Sequence, residues 1–211
     1  MNYVIIGAGG FAREVHSVII ARGHSVSCFI VERQYIPPSA SLDNIPVRDF
    51  QWLLRGNQFG VICGVGSPDL RRRLVVLSGS IRFADAVIHP TATLGYRCTT
   101  GTGSVISAGV AVTANVHIGD HVVLHLNATV GHDAVMEDYV SVMPGANISG
   151  RVTLGEGAYV GVGAAIVQGV HIGAWSKVGA GSVVINDVPA NSTVVGVPGR
   201  VVRQRPDGWH L

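Results

Sequence analysis

A six-residue repeat runs through the second half of the chain without interruption. From Ile88 to Val184, seventeen positions lie six apart, and sixteen hold an aliphatic residue or methionine, Thr100 being the exception. Four positions later the side chain is never larger than valine, and glycine directly follows the repeat position eight times, once after Thr100. Ordinary hairpins would alternate with period two, whereas this period is typical of a parallel β-helix. We expect the aliphatic side chain inside, the small residue at a tight corner, and glycine where the backbone conformation resists other residues.

Residues 1–85 have a different pattern, which predicts a small Rossmann-like α/β domain. Predicted strands are YVIIG (3–7), SVSCFIV (25–31) and GVICGVG (60–66), and predicted helices are FAREVHSVIIARG (11–23), DFQWLLRG (49–56) and residues 68–77. IPPSASLDNIP (36–46) is predicted to be a loop, and the basic run at 71–73 to cap or solvate its helix. Strands that alternate with helices predict a parallel sheet. The predicted domains are 1–85, a β-helix over 86–199, and a tail over 200–211.

Composition narrows the function classes. Aromatic residues make up 6% and glycine contributes 28 residues, which suits short strands of small and β-branched residues. A formal net charge of +2 without a basic stripe argues against a nucleic-acid partner. Three scattered cysteines favour a reducing compartment. Without a signal-peptide pattern or a long apolar stretch, we expect a cytoplasmic protein with no membrane association.

The repeat, the opening GAGGFAREV and the closing VPANSTVVGVPGRVV together resemble one family across nearly the whole chain. These are the left-handed β-helix acetyltransferases that act on sugars: the nucleotide-amino-sugar N-acetyltransferases and the sialic acid O-acetyltransferases. The resemblance implies an α/β domain followed by a left-handed parallel β-helix, use of acetyl-CoA, and a homotrimer with active sites between subunits. It also implies a nucleotide-sugar substrate, such as a UDP- or GDP-linked 4-amino-deoxysugar.

His132 and Asp133 are the candidate catalytic pair. They lie two and three positions after the inward Val130, at a corner, so both are expected to point outward. From the residues alone, an idle surface histidine is as reasonable as a catalytic one. Imidazole titrates near neutrality and suits a general base, and a neighbouring carboxylate can orient it. The segment GHDAVMEDYVSVMPGA resembles the family motif in which the histidine is the base and the acid raises its basicity.

The resemblance also implies contacts with acetyl-CoA. Many members have a second histidine nine residues after the base, where this chain has Ser141; a hydroxyl residue there mildly favours perosamine-type substrates. The implied acetyl-CoA contacts are Ser141, Gly150, Val162, Ala180 and Arg200, with Arg203 as a second phosphate partner. Guanidinium groups suit phosphate, although two solvated arginines are nearly as reasonable.

GAGG at 7–10 joins a predicted strand to a predicted helix, a context in which backbone amides can bind phosphate. Taken alone, GAGG is better interpreted as a tight strand-to-helix turn. Attached to the β-helix, it implies nucleotide-sugar binding rather than NAD binding. The implied contacts are Gly9, Gly10, Phe11, Glu32, Arg33, Gly66 and Ser67, of which Arg33 and Ser67 depart from the family pattern.

Three alternatives remain at this stage. His117, His121 and His125 lie four residues apart and could suggest a zinc site. Carbonic anhydrases of this fold bind zinc through one histidine that lies two coils before a pair five residues apart. His89 and His125 have the first spacing, but residue 130 is valine, so the triad is incomplete. We therefore expect no metal. An O-acetyltransferase acting on a sialic acid or similar hydroxyl, and a non-catalytic nucleotide-binding solenoid, are the other two.

Overall fold

The N-terminal unit is a five-stranded sheet with helices packed against it. The protein is described here by a computed structural model that covers residues 1–54 and 59–210. The sheet has the order β3-β4-β2-β1-β5 and is parallel except at β3. Its elements are β1 (Asn2–Ile6), α1 (Gly10–Ala21), β2 (Ser25–Val31), a 3₁₀ turn (Arg33–Tyr35), β3 (Ser41–Leu42), β4 (Ile45–Asp49), α2 (Phe50–Leu54), β5 (Gly60–Cys63) and α3 (Pro68–Leu77).

The loop predicted at 36–46 is wrong, because this segment contains a hairpin. Strands β3 and β4 flank Asp43 and Asn44, which both have positive φ (49° and 64°). Paired positive-φ residues are the usual geometry of a tight hairpin turn, so Asp-Asn was an available signal. Val47 then pairs with Phe29, which adds a fourth parallel strand. Helix α2 lies where it was predicted, although the last two predicted residues fall outside the described ranges.

From residue 87 the chain forms very short strands at six-residue spacing. Strand pairing follows an eighteen-residue coil of three strands. The strands are β6 (Val87–Ile88), β7 (Thr93–Leu94), β8 (Thr99–Thr100), β9 (Val105–Ile106), β10 (Ala111–Val112), β11 (His117–Ile118), β12 (Val123–Leu124), β13 (Thr129–Val130), β14 (Val135–Met136), β15 (Ser141–Val142), β16 (Asn147–Ile148), β17 (Thr153–Leu154), β18 (Tyr159–Val160), β19 (Ala165–Ile166), β20 (His171–Ile172), β21 (Lys177–Val178), β22 (Val183–Val184), β23 (Ser192–Val195) and β24 (Arg200–Gln204).

These strands form the three faces of a β-helix. The first face contains β7, β10, β13, β16, β19 and β22; the second contains β8, β11, β14, β17 and β20; the third contains β6, β9, β12, β15, β18, β21, β23 and β24. The first corner, which follows the strands of the first face, includes residues 131–133 and 149–151. The third corner, which follows the third face, includes residues 125–127, 143–145, 161–163 and 179–181. The predicted α/β unit with a left-handed parallel β-helix is confirmed.

Glycine follows the inward residue because neighbouring coils approach closely. An added Cβ at Gly131 would lie 2.4 Å from the Gly150 nitrogen, and one at Gly95 would lie 1.7 Å from the Thr113 oxygen. Positive φ instead occurs two positions later, at every sixth residue from Arg97 to Gly181. The predicted reason for these glycines, an unusual backbone conformation, was therefore wrong; close contact between coils requires them.

The α/β unit packs on the third face of the β-helix. The outward residues Val87 and Val105 are fully buried there, in one cluster with Val15, Val18 and Ile19 of α1. Burial of these apolar side chains stabilises the contact by roughly 1.5–3 kcal/mol for each residue. Arg71 of α3 is also fully buried at this contact, so the prediction of a solvated basic run is wrong at this position.

The C-terminal segment is part of the folded unit. β24 pairs antiparallel with β23, so residues 200–204 extend the third face instead of forming a separate tail. Beyond β24, Arg205 donates its backbone N–H to Asn191, and Trp209 donates from its indole nitrogen to the Asn191 side chain. No helix within the described ranges is long and apolar enough to cross a membrane.

Candidate active site

His132 and Asp133 form a polar pair on the first corner. His132 Nδ1 lies 2.7 Å from Asp133 Oδ2, and their side chains are 52% and 46% exposed. The hydrogen bond from His132, followed by one from Asn115, holds the pKa of Asp133 below its usual range. An ionised carboxylate can only accept, so Nδ1 carries the proton between the two groups, and in the neutral imidazole the free lone pair is then on Nε2. A free, oriented Nε2 is what a general base requires.

Gly150 lies one coil beyond His132 and directly against its imidazole. An added Cβ at Gly150 would lie 2.6 Å from His132 Nε2 and 2.8 Å from Cε1. The absence of a side chain therefore leaves the basic edge of the ring open. Gly150 was predicted as an acetyl-CoA contact from resemblance, and its place beside Nε2 keeps that prediction reasonable.

Asn115 completes this corner, and the sequence reasoning missed it. Its side-chain amide donates to Asp133 Oδ1 over 3.1 Å, which fixes the carboxylate from the side opposite His132. Asn115 precedes Asp133 by eighteen residues, one full coil. The repeat could have revealed it, because residues eighteen apart stack on one another.

A second candidate region is a cavity of about 460 Å³ at the carboxyl ends of β1, β2 and β5. Gly9, Gly10, Phe11, Glu32 and Gly66, all predicted substrate contacts, line it together. Ligands commonly bind at this edge of an open parallel sheet. The sequence did not single out several other lining residues, mostly apolar: Tyr35, Phe50, Leu70 and Leu74.

Two glycines of this cavity, Gly9 and Gly10, are not required by the fold. An added Cβ at Gly9 or Gly10 would meet no atom within 4 Å, and neither residue has positive φ. Gly64 differs, because a Cβ there would lie 2.6 Å from Ile5 Cγ2 and 2.9 Å from Ala12 Cα. Gly64 therefore serves packing, whereas Gly9 and Gly10 leave space at the start of α1 that a ligand can use.

Two predicted substrate residues lie outside this cavity. Arg33 is highly exposed, and its Nε lies 3.6 Å from Asp49 Oδ2. Ser67 lines a separate cavity with Met143, Tyr159 and Lys177, and its hydroxyl is hydrogen-bonded to Asp69. Glu32 does line the main cavity, where Arg73 holds its carboxylate at 2.6 Å. Of the predicted Glu32-Arg33 pair, only Glu32 is placed to meet a ligand in the main cavity.

The predicted acetyl-CoA residues lie in different places. Ser141 has no exposed surface, and its hydroxyl is engaged by Arg71 at 2.9 Å and by the Gly66 carbonyl at 2.9 Å. The prediction that this hydroxyl contacts acetyl-CoA does not fit such burial. Val162 and Ala180 are exposed on the third corner, where Gly181 donates to the Val162 carbonyl.

Arg200 and Arg203 lie on β24, and both are exposed. Arg200 Nη1 donates to the carbonyl of its own neighbour, Gly199. Among the residues that the structure describes, most donors of both guanidinium groups have no acceptor, and the predicted contact with CoA phosphates stays a prediction.

The three closely spaced histidines lie in three environments. His117 is exposed on the second face, His121 is stacked 5.2 Å from Tyr139, and His125 lies 4.6 Å from Phe11. Burial lowers the pKa of both His121 and His125 to about 4. Among residues 1–54 and 59–210, no group of three or more His, Cys, Asp or Glu residues is arranged to hold a metal ion.

Solved structures similar over the full chain provide the comparison. A perosamine N-acetyltransferase mutant from Caulobacter crescentus, in complex with CoA and GDP-perosamine, is 31% identical with a TM-score of 0.88, covering 97% of this chain and 98% of that one. The acetyltransferase domain of PglB from Neisseria gonorrhoeae is 31% identical with a TM-score of 0.86, covering 95% and 99%.

Sequence comparisons agree over shorter stretches. Residues 2–76 match the PglD N-terminal domain family. GDP-perosamine N-acetyltransferase of Escherichia coli O157:H7 is 38% identical over 123 residues, 56% of either chain. Serine acetyltransferase of Bacillus pumilus is 36% identical over 139 residues, 61% of this chain and 54% of that one. The matched stretch thus spans about half the length of these curated relatives. Full-length similarity to the solved enzymes shows that this chain belongs to the hexapeptide-repeat, left-handed β-helix family of sugar acetyltransferases.

Proposed function

We propose that this protein transfers the acetyl group of acetyl-CoA to the amine of a nucleotide-linked amino sugar. The observation that carries the proposal is the oriented His132-Asp133 pair, whose open Nε2 edge faces Gly150. The solved relative with CoA and GDP-perosamine supports this substrate class, and the glycine-lined cavity offers a place for the nucleotide.

In the proposed reaction, the sugar amine attacks the thioester carbonyl carbon. The C–N bond forms, the C–S bond breaks, and CoA leaves as a thiolate that takes up a proton. His132 Nε2 accepts the proton that the amine loses, and Asp133 stabilises the resulting imidazolium through Nδ1. Asn115 holds Asp133 in place. A positioned base of this kind contributes roughly 10²–10⁴-fold to the rate.

The proposed active site is shared between subunits of a homotrimer. His132 and Gly150 lie on the first corner, while Val162 and Ala180 lie on the third corner. The α/β cavity is next to that third corner, because Gly66 lies beside His125 and Met143. A threefold assembly would bring the first corner of one copy to the third corner and cavity of the next. This arrangement supports catalysis between copies rather than within one chain.

The test is an assay of CoA thiol release from acetyl-CoA with UDP-, GDP- and dTDP-linked amino sugars, CMP-sialic acid, sialic acid and serine. We expect turnover of one amino sugar, a product bearing an amide by mass spectrometry, and loss of turnover in His132→Ala. Turnover of a hydroxyl acceptor instead would establish an O-acetyltransferase. No acetyl-CoA binding at all would favour a non-catalytic nucleotide-binding solenoid.

A further inference from the structure

Arg71 lies between the α/β unit and the third face, and its surroundings are unusual for a buried cation. It is fully buried, and among the described residues no carboxylate lies within salt-bridge distance of it. Burial lowers its pKa to about 10, so it stays charged at neutral pH. Its partners are carbonyl oxygens and one hydroxyl: His121 O at 2.8 Å, Val65 O at 2.8 Å, Gly66 O at 3.1 Å, Tyr139 O at 2.6 Å, Val140 O at 3.2 Å and Ser141 Oγ at 2.9 Å.

Two of these carbonyls belong to the loop that borders the nucleotide cavity. Arg71 Nη1 binds the carbonyls of Val65 and Gly66, and the Ser141 hydroxyl donates to the same Gly66 carbonyl over 2.9 Å. Both oxygens are thereby held on the side of the β-helix. A buried cation that binds several carbonyls fixes their direction more strongly than neutral donors do.

The direction of these carbonyls fixes the direction of two amides. In a planar trans peptide, the N–H points opposite to the preceding C=O. The N–H groups of Gly66 and Ser67 therefore point away from Arg71, and in the described part of the chain neither has a hydrogen-bond acceptor. Ser67 is also the N-cap of the ten-residue helix α3, where the Asp69 carboxylate of the first turn, bonded to the Ser67 hydroxyl, offsets the positive end of the helix dipole, so the donors themselves are the two amides.

We propose that Arg71 and Ser141 are positioning residues that preset the Gly66 and Ser67 amides as donors to an anionic oxygen of the nucleotide-sugar diphosphate. This inference rests on the proposed function, because Gly66 lines the same cavity as Gly9 and Gly10, and Ser67 lines the adjoining cavity that Gly66 also borders. It assigns the buried Ser141 hydroxyl to the acceptor substrate rather than to acetyl-CoA.

The test uses Ser141→Ala, with Ser176→Ala as the matched control. Ser176 is also fully buried and makes two hydrogen bonds between chain segments, to Pro189 O at 2.6 Å and from Ser192 N at 3.1 Å, but it does not contact the 65–67 loop. Calorimetric titration of the full chain with GDP, UDP and CoA gives the affinities. Ser141→Ala should weaken binding of the preferred nucleoside diphosphate about five- to tenfold and leave CoA affinity unchanged. Ser176→Ala should leave both affinities unchanged, although it should lower the melting temperature about as much as Ser141→Ala does.

Arg71→Lys provides a second variant, because a lysine keeps the charge but cannot hold both loop carbonyls and the Ser141 hydroxyl in the same fork geometry. It should weaken nucleoside diphosphate binding at least as much as Ser141→Ala. If wild type binds a nucleoside diphosphate and Ser141→Ala binds it equally well, the positioning role is wrong while the proposed function stands. If wild type binds neither GDP nor UDP, the positioning role is wrong and a UDP- or GDP-linked acceptor is excluded.

Discussion

At the scale of single residues, Gly150 leaves open the edge of His132 that the proposed mechanism uses. A methyl group at this position would enter the space that Nε2 and Cε1 occupy, and the imidazole can yield because it ends a side chain. Gly150→Ala should therefore lower kcat by about tenfold or more while the melting temperature stays close to that of wild type. Steady-state kinetics together with a thermal melt would check this. An unchanged kcat would mean that the reaction does not use the edge of His132 that faces Gly150.

The role of the Asp133 carboxylate can be tested separately from that of His132. Asp133 has φ of 59°, a conformation that asparagine also tolerates, so Asp133→Asn should preserve the corner. The amide cannot stabilise an imidazolium as a carboxylate does, and kcat should fall about 10-fold to 10⁴-fold. The affinity for acetyl-CoA measured by titration should not change. A kcat equal to that of wild type would leave Asp133 without a catalytic role.

The sequence predicted the His132-Asp133 pair but not the residues that support the two proposed sites. The repeat placed His132 and Asp133 outside at a corner, and the structure shows both exposed there. Asn115 could have been predicted from the eighteen-residue coil. The burial of Arg71 and Ser141 could not be predicted, because only the packing of the α/β unit on the third face encloses them. A local pattern of six residues carries no information about which face another unit covers.

At the scale of elements, the two ends of α1 use glycine for opposite reasons. Gly10 begins the helix with open space and no positive φ, whereas Gly23 follows it with φ of 73°. Gly10→Ala should keep or slightly raise stability and weaken binding of the nucleoside diphosphate. Gly23→Ala should lose about 1 kcal/mol of stability through backbone strain and leave binding unchanged. Chemical denaturation and calorimetric titration of both variants would check the pair. If Gly10→Ala binds the nucleoside diphosphate as tightly as wild type, the start of α1 is not part of the ligand site.

The contact between the two units should depend on pH. His121 and His125 lie in this contact, near Arg71, Asp120, Asp138 and Glu14, and burial lowers the pKa of both imidazoles to about 4. Since an unfolded histidine has a pKa near 6.5, the unfolded chain gains protons first as pH falls. The contribution of these two histidines to the free energy of unfolding should thus be fully present above about pH 6.5. It should be lost as the pH falls toward 4, by up to about 3 kcal/mol for each histidine.

Urea unfolding between about pH 7.5 and pH 4.5 would measure this slope. His125→Gln should reduce it by about half, because one of the two histidines then no longer titrates. His171→Gln, which removes an exposed histidine, should change the slope less than His125→Gln does and is the matched control. A slope that is the same in all three proteins would show that the burial of His125 does not control stability in this range.

At the element scale, the sequence predicted most of the architecture. The six-residue period located the β-helix strands because every inward residue must fill the same narrow core. It missed β3 and β4, since two prolines and several small residues obscured a hairpin whose turn is Asp43-Asn44. It also missed β24, which has only partly apolar, exposed residues and forms by adding to an existing sheet edge.

At the scale of the whole molecule, the proposed active site combines two surfaces that one chain keeps apart. The corner with the proposed base carries His132, and the glycine-lined cavity belongs to the unit packed on the third face. If neighbouring copies join these surfaces, two differently inactivated chains can complement each other. His132→Ala removes the base, and Gly10→Leu fills the cavity without meeting the protein's own atoms at Cβ.

The measurement that tests this most directly is CoA release by heterotrimers of these two variants, co-expressed with different affinity tags and purified by both. Each variant alone should be inactive with the amino sugar that wild type uses. In a mixed trimer of either composition, one site in about three combines an intact corner with an intact cavity, so about a third of wild-type activity should return. Mixed trimers that stay as inactive as the parents would contradict an active site assembled from His132 of one copy and the nucleotide cavity of another.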